Sequence, residues 1–391
     1  MTASISIRAT LAVALLAPVA AQADPVKIGL LFPLSGPTAQ FGQNSKNGIE
    51  LALEMMKERG AALADDVELV IADAPSPGDA PAAVQRMINE DGVLGVIGSF
   101  SSSITLAASE LTERAEVPMI THSFADQITG RGFEYIFQVS NKATTYGAAQ
   151  LDQAVAIAEA AGDTVSKIAI LYEDTAYGTA QAGGLRAAAE KAGIEVVMDE
   201  AYPLGITDAA PLVNAIRRGE PDLVFPVSYL NDSLLIIRTM RQQGLSTPVI
   251  GGAAGYIIPA FKEGLGEYTE DVFSIAPTNY DLSPDIAARY EEDHGVFMAH
   301  EALMYGAAFE HLVKAISEAG TDDTAEIRDA IASLENCEGF ATGLPGGCTA
   351  FDDTGLTSVA TPIFVQWRGD GLVTVYPPES AKAEPIWPEA D

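Results

Sequence analysis

Four loops gather most of the hydroxyls and rings that could do chemistry in this chain. They are Gly98-Ser99-Phe100-Ser101-Ser102-Ser103-Ile104-Thr105, Thr121-His122-Ser123-Phe124-Ala125-Asp126, Tyr172-Glu173-Asp174-Thr175-Ala176-Tyr177-Gly178 and Val227-Ser228-Tyr229-Leu230-Asn231-Asp232. The first runs straight into a helical pattern. Serine hydroxyls and unpaired backbone N–H groups at a helix N-terminus form an anion site suited to a carboxylate. A serine there also serves as an ordinary N-cap, and the two roles are compatible. Tyr177 and Tyr229 offer ring area and one hydroxyl each at small entropic cost, with plain packing the alternative for either alone. His122 by itself reads as a surface or structural histidine. G-x-S-x-G, G-x-x-x-x-G-K-[ST], H-E-x-x-H and C-x-x-C are all absent, and the four histidines have no metal-ligand spacing. Neither catalysis, a metal nor a cofactor is expected.

Each loop follows an apolar, β-branched run. Strands are expected at 26–33, 67–72, 95–98, 118–121 and 135–139, with helices near 46–57, 80–89 and 104–115. In the first helix Ile49, Ala52, Leu53 and Met56 recur on one face. The rhythm restarts with strands at 167–172, 195–197, 222–227, 248–251 and 272–274, separated by helices near 176–192, 209–218 and 233–243. Such alternation implies an α/β fold with parallel sheets covered on both faces. Ligands of such sheets sit beyond the carboxyl ends of the strands, which is where these loops fall. After residue 274 the alternation stops and two helices follow, near 300–319 and 324–334. Chain crossovers are expected near 140–145, 276–281 and 352–361.

The first 23 residues read as a secretory leader: Arg8, an apolar stretch from Ala9 to Ala21, and Ala21-Gln22-Ala23 before Asp24. Its removal leaves 21 basic against 54 acidic residues, a formal charge of −33 over 368 residues. That balance excludes a nucleic-acid groove or an anionic membrane surface as partner. The length predicts two domains. Cys337 and Cys348 flank a Gly/Pro-rich stretch and are expected to form a disulfide in an oxidising compartment.

In their order, these motifs resemble the periplasmic solute-binding proteins of the leucine/isoleucine/valine-binding type, receptors of branched-chain amino-acid ABC importers. The resemblance is carried by Leu34-Ser35-Gly36-Pro37 with Gln40-Phe41-Gly42, by the serine loop, by Pro118-Met119-Ile120-Thr121, by Tyr172-x-x-Asp174-x-x-Tyr177-Gly178, and by Asp222-Leu223-Val224 before Tyr229. It implies a two-lobed type I binding protein in the periplasm. Each lobe would be a mostly parallel sheet with helices on both faces, joined by a multi-crossover hinge. Lobe 1 would take residues 24–140 and 277–355, and lobe 2 residues 141–276 and 356–391. The expected partners are a small-molecule ligand and membrane permease subunits, with the protein itself a monomer.

On this resemblance Ser102, with Ser101 or Ser103, and Ser123 with Phe124 hold the ligand carboxylate. Phe41 covers the ligand, and Tyr177 and Tyr229 close over it. Amino-acid-binding members carry an acid where this chain reads Gly252-Ala253-Ala254-Gly255-Tyr256. An unpaired buried ammonium is costly, by several kcal/mol as an order of magnitude. Either Asp232, Asp174 or Glu301 substitutes for that acid, or the ligand lacks an α-amino group and Tyr256 faces an apolar body. Amino acid and non-amino carboxylate stand level, with amides or ureas behind, and a sensory role is the alternative to import.

Overall fold

The computed structural model describes residues 25–388; the expected leader lies outside the described residues. Val26–Phe32 (β1), Val67–Asp73 (β2), Gly95–Gly98 (β3), Met119–Thr121 (β4) and Ile136–Gln138 (β5) form one sheet, ordered β2-β1-β3-β4-β5. All four pairings are parallel. β1 has a neighbour on each edge and buries its last five residues, as a continuous apolar run requires. β2 lies at the edge, where burial alternates and Ile71 is exposed.

Lys167–Glu173 (β6), Glu195–Tyr202 (β7) and Leu223–Val227 (β8) form a second parallel sheet, ordered β7-β6-β8. A bridge between Val224 and Val249 continues it into Ile250–Gly251 (β9), Phe273–Ala276 (β10), Ile363–Arg368 (β11) and Gly371–Tyr376 (β12). β9 and β10 pair in parallel, whereas β11 runs antiparallel to both β10 and β12. This hairpin is new relative to the sequence expectation. Its two-residue connection, Gly369-Asp370, lets two short strands return without a crossover helix.

Helix Ala143–Ala160 begins within the crossover expected at 140–145 and runs on through residues to which the sequence assigned no element. Its many alanines give a weak apolar stripe, which is why periodicity did not announce it. It packs on helix Ala176–Ala192, and its Gln150 Nε2 donates to Ile250 O at 2.7 Å. Helix His300–Ala319 returns the chain to the first sheet, where it lies against β3, β4 and helix Ala39–Glu58. A Cβ on Gly48 would stand 2.1 Å from Ala302 O, so glycine permits this contact. The chain thus passes between the two sheet systems after β5, after β10 and again before β11. Cys337 and Cys348 are joined in a disulfide, as expected. Among the described residues no helix is long and apolar enough to cross a membrane.

Candidate functional site

The carboxyl ends of the two sheets face each other, and their loops enclose a cavity of about 10 Å³. The first sheet contributes Phe100, Ser102, His122 and Phe124, and the second Tyr177, Tyr229 and Ala254. Rings from opposite sides touch: Phe124 lies 5.8 Å from Tyr177 and Phe100 5.9 Å from Tyr229, centroid to centroid. No Lys, Arg, Asp or Glu lines this space.

On the first side, Ser101 takes the N-cap position of helix Ser102–Arg114 without making the side-chain capping bond. Its hydroxyl instead meets the Tyr229 hydroxyl, which also reaches the backbone of Ser102. Ser102 is buried, and its Oγ accepts from Phe124 N at 3.2 Å and Ala125 N at 3.1 Å. The serine loop is thereby stitched to the loop after β4, while the Ser102 hydroxyl proton remains available to an anion. Ser103 is half-buried and outside the lining. Ser123, expected beside the carboxylate, turns inward. Its Oγ lies within hydrogen-bond reach of Ser99 O, of Phe100 O at 3.0 Å and of Thr105 Oγ1 at 2.7 Å. A hydroxyl so occupied shapes the loop and has little left for a ligand.

Phe41 stands one ring further back than expected. It stacks on Phe100 at 4.2 Å with 6° between planes, and it is Phe100 that lines the cavity. The sequence signal was a lone bulky ring within a run of serines. His122, which by itself reads as a surface or structural histidine, belongs to the cavity wall. It is 1 % exposed and lines the cavity, with Phe124 5.1 Å and His300 5.3 Å away. Burial, assisted by the neighbouring His300, lowers its pKa well below the ordinary imidazole value, so the ring is neutral.

On the second side, Tyr177 donates its hydroxyl to Gly252 O, and burial keeps the phenol protonated. Tyr229 is placed by Glu173, the last residue of β6, whose Oε1 accepts from Tyr229 N. Burial raises the Glu173 pKa well above the carboxylate range, and the nearby Asp232 carboxylate adds to the rise. Asp232 in turn accepts from Gly205 N at 2.9 Å. Glu173 is therefore held neutral behind Tyr229.

Ala253 and Tyr256, expected at the cleft, do not line it; Ala254 does. Both alanines have positive φ, 68° at Ala253 and 41° at Ala254, which turns Tyr256 into the second unit's interior. There its hydroxyl pairs with Ser228, its ring packs on Phe261, and Trp367 Nε1 donates to its carbonyl at 2.8 Å. A Cβ on Gly255 would stand 2.5 Å from the Tyr229 carbonyl carbon, so this turn needs glycine to pass so close. Of the three candidate substitutes for the missing acid, Asp174 is exposed to solvent. Asp232 is engaged with Glu173, and Glu301 is buried behind His300, accepting from Asn44 Nδ2 at 2.7 Å.

A family model described as "Periplasmic binding protein" matches residues 25–371. Leu/Ile/Val-binding protein homolog 8 of Brucella melitensis biotype 1 is 31% identical over 395 residues, 97% of each chain. Homolog 7 of Brucella suis biovar 1 is 29% identical over 95% of this chain and 96% of its own. Two solved structures share the fold with a TM-score of 0.79 each. The leucine binding protein LivK of Thermotoga maritima is 22% identical, covering 90% of this chain and 98% of its own. A solute binding protein from R. palustris, in complex with benzoate, is 20% identical, covering 94% and 98%.

Proposed function

The chain belongs to the periplasmic binding protein family, and from this we propose that it is the extracytoplasmic receptor of an ABC importer, capturing a small carboxylate and presenting it to a membrane permease. The observation that carries the reading is the shared cavity: one wall comes from each sheet system, so a solute lying between them favours their approach. Residues 24–140 and 277–355 would move as one lobe and residues 141–276 and 356–391 as the other. The periplasm is the expected compartment, in keeping with the family and the disulfide.

Ser102 and the N-terminus of its helix would take the carboxylate, with Ser101 released from Tyr229 as the lobes part. Phe100 and Phe124, backed by Phe41, would meet Tyr177 and Tyr229 across an apolar or aromatic body. Curated relatives are named for leucine, isoleucine and valine, and one structural neighbour holds benzoate. The absence of an acid from the lining favours a carboxylate without an α-ammonium, since a buried ammonium needs a charged partner.

The test is a thermal-shift panel of the mature protein with amino acids, aromatic acids, aliphatic acids and amides. A ligand at about 100 times its Kd adds about 2.7 kcal/mol, or about 3 to 4 °C for a chain of this size. Stabilisation by carboxylates that lack an amino group is the expected result. Stabilisation by amino acids alone would overturn the ligand class, and conversion of any candidate during incubation would overturn the binding-protein reading.

A further inference from the structure

Where the loop after β4 meets the start of helix His300–Ala319, two buried imidazoles stand side by side without a hydrogen bond. His122 and His300 are 1 % and 3 % exposed, and none of their four ring nitrogens has a hydrogen-bond partner. His300 Nδ1 lies 2.9 Å from Glu301 Oε2, off the line of a hydrogen bond. The pair borders the cavity through His122 and through Phe100, whose ring lies 5.6 Å from His122 and 6.1 Å from His300. Leaving a buried polar group unsatisfied costs about 1 to 3 kcal/mol, so such a concentration marks a place where a polar group belongs.

We infer that the ligand carries, besides its carboxylate, a hydroxyl group held between His122 and His300, so that the solute is a hydroxy acid with an apolar or aromatic body. This rests on the carboxylate reading above and narrows it. A neutral imidazole offers one N–H and one lone pair. His300 Nδ1 faces Glu301 Oε2, which leaves Nε2 to meet a ligand, while His122 can turn a ring nitrogen toward the same point. A hydroxyl both donates and accepts, and so can meet one nitrogen of each ring. A second carboxylate only accepts and would stand near the buried Glu301. An ammonium only donates, and so could meet the rings only through their lone pairs.

Isothermal calorimetry on the mature chain at pH 7.5 tests this with matched triads: 4-methylpentanoate, 2-hydroxy-4-methylpentanoate and leucine; 3-phenylpropionate, 3-phenyllactate and phenylalanine. Benzoate against 3- and 4-hydroxybenzoate completes the set. The hydroxy member should bind at least about tenfold more tightly than the unsubstituted acid, as one charge-free hydrogen-bonded group in a dry site allows. His122→Leu and His300→Leu should each shrink that preference below about threefold. His122→Leu should also hold or raise the ligand-free melting temperature, because the ring it replaces makes no hydrogen bond; a purely structural histidine would lose stability instead. The ligand comparison on the unaltered chain decides the matter even where a variant misfolds. Equal affinity within each pair, or preference for the amino member, overturns the hydroxyl while leaving the carboxylate site standing. Failure of every carboxylate to bind overturns both.

Discussion

Ser102→Ala separates a structural from a decorative serine. The Ser102 oxygen is the acceptor for Phe124 N and Ala125 N at 3.2 and 3.1 Å, and the residue is 1 % exposed, so no solvent replaces it. Each orphaned buried N–H costs about 1 to 3 kcal/mol, and allowing for partial relaxation the substitution should cost about 3 kcal/mol in total. With an unfolding entropy of about 2.1 cal/mol/K per residue, a chain of this length should lose about 4 °C in Tm. Ser103→Ala is the internal control. It deletes the same hydroxyl one position on, from a half-buried residue for which no hydrogen bond is seen, and should stay within about 0.5 kcal/mol of the parent. Urea denaturation of parent and variants without ligand gives both numbers. Equal effects at 102 and 103 would refute the claim that Ser102 ties the two loops. For carboxylate affinity, Ser102→Ala should cost a further 10- to 100-fold, the range for a hydrogen bond to a charged group.

Three further outcomes follow from the buried titratable groups and the disulfide. Glu173 has a raised pKa in the folded chain, so its contribution to stability is full below the ordinary glutamate pKa and is lost as pH rises through the folded value. Glu173→Gln should remove that loss, and a parent-minus-variant stability difference that stays flat from pH 4.5 to 9 would discount a buried neutral Glu173. His311, hydrogen-bonded to Thr349 Oγ1 and Ile331 O, is pushed down to about 4 mainly by burial. Its contribution is present above pH 6.5 and should fall away by about 3 kcal/mol as pH drops toward 4, a decline that His311→Gln should lack in urea titrations. Reduction of Cys337–Cys348, which closes a loop of sequence separation 11, should cost about 2 to 3 kcal/mol in denaturant midpoint measurements on the oxidised and reduced protein.

Apart from helix Ala143–Ala160 and the β11–β12 hairpin, the order of elements and the four loops were legible because the strands are short apolar runs and each loop breaks the run with small polar residues. Residues 95–98 and 167–172 read as strands from composition alone, and the chain folds them so. Which side chain of a loop faces the cleft was not legible, since that depends on loop dihedrals rather than on any repeat. Phe41 and Phe100 are both apolar rings near glycines, and only their mutual stacking decides which is inner. Tyr256 lies three residues from Ala253 yet points away, because two consecutive positive φ values reverse the chain between them. His122 and Glu173 escaped for a different reason: a single histidine or glutamate at a strand end carries no spacing signal, and their partners lie on segments distant in sequence.

Helix His300–Ala319 has a mechanical consequence as a lever. Its first residue packs on His122 of the cavity lining, while His311 is moored to Thr349 beside the disulfide and Glu310 accepts from Phe340 N at 2.8 Å within the same loop. About 1.5 Å of rise per residue sets some 16 Å between mooring and tip. A tilt of about 5° at the moored end would swing the imidazole by about 1.4 Å, enough to unmake a hydrogen bond. The clasp at Cys337 and Cys348 therefore works as the calibration of a distant instrument: its tightness sets the aim of a side chain it never touches.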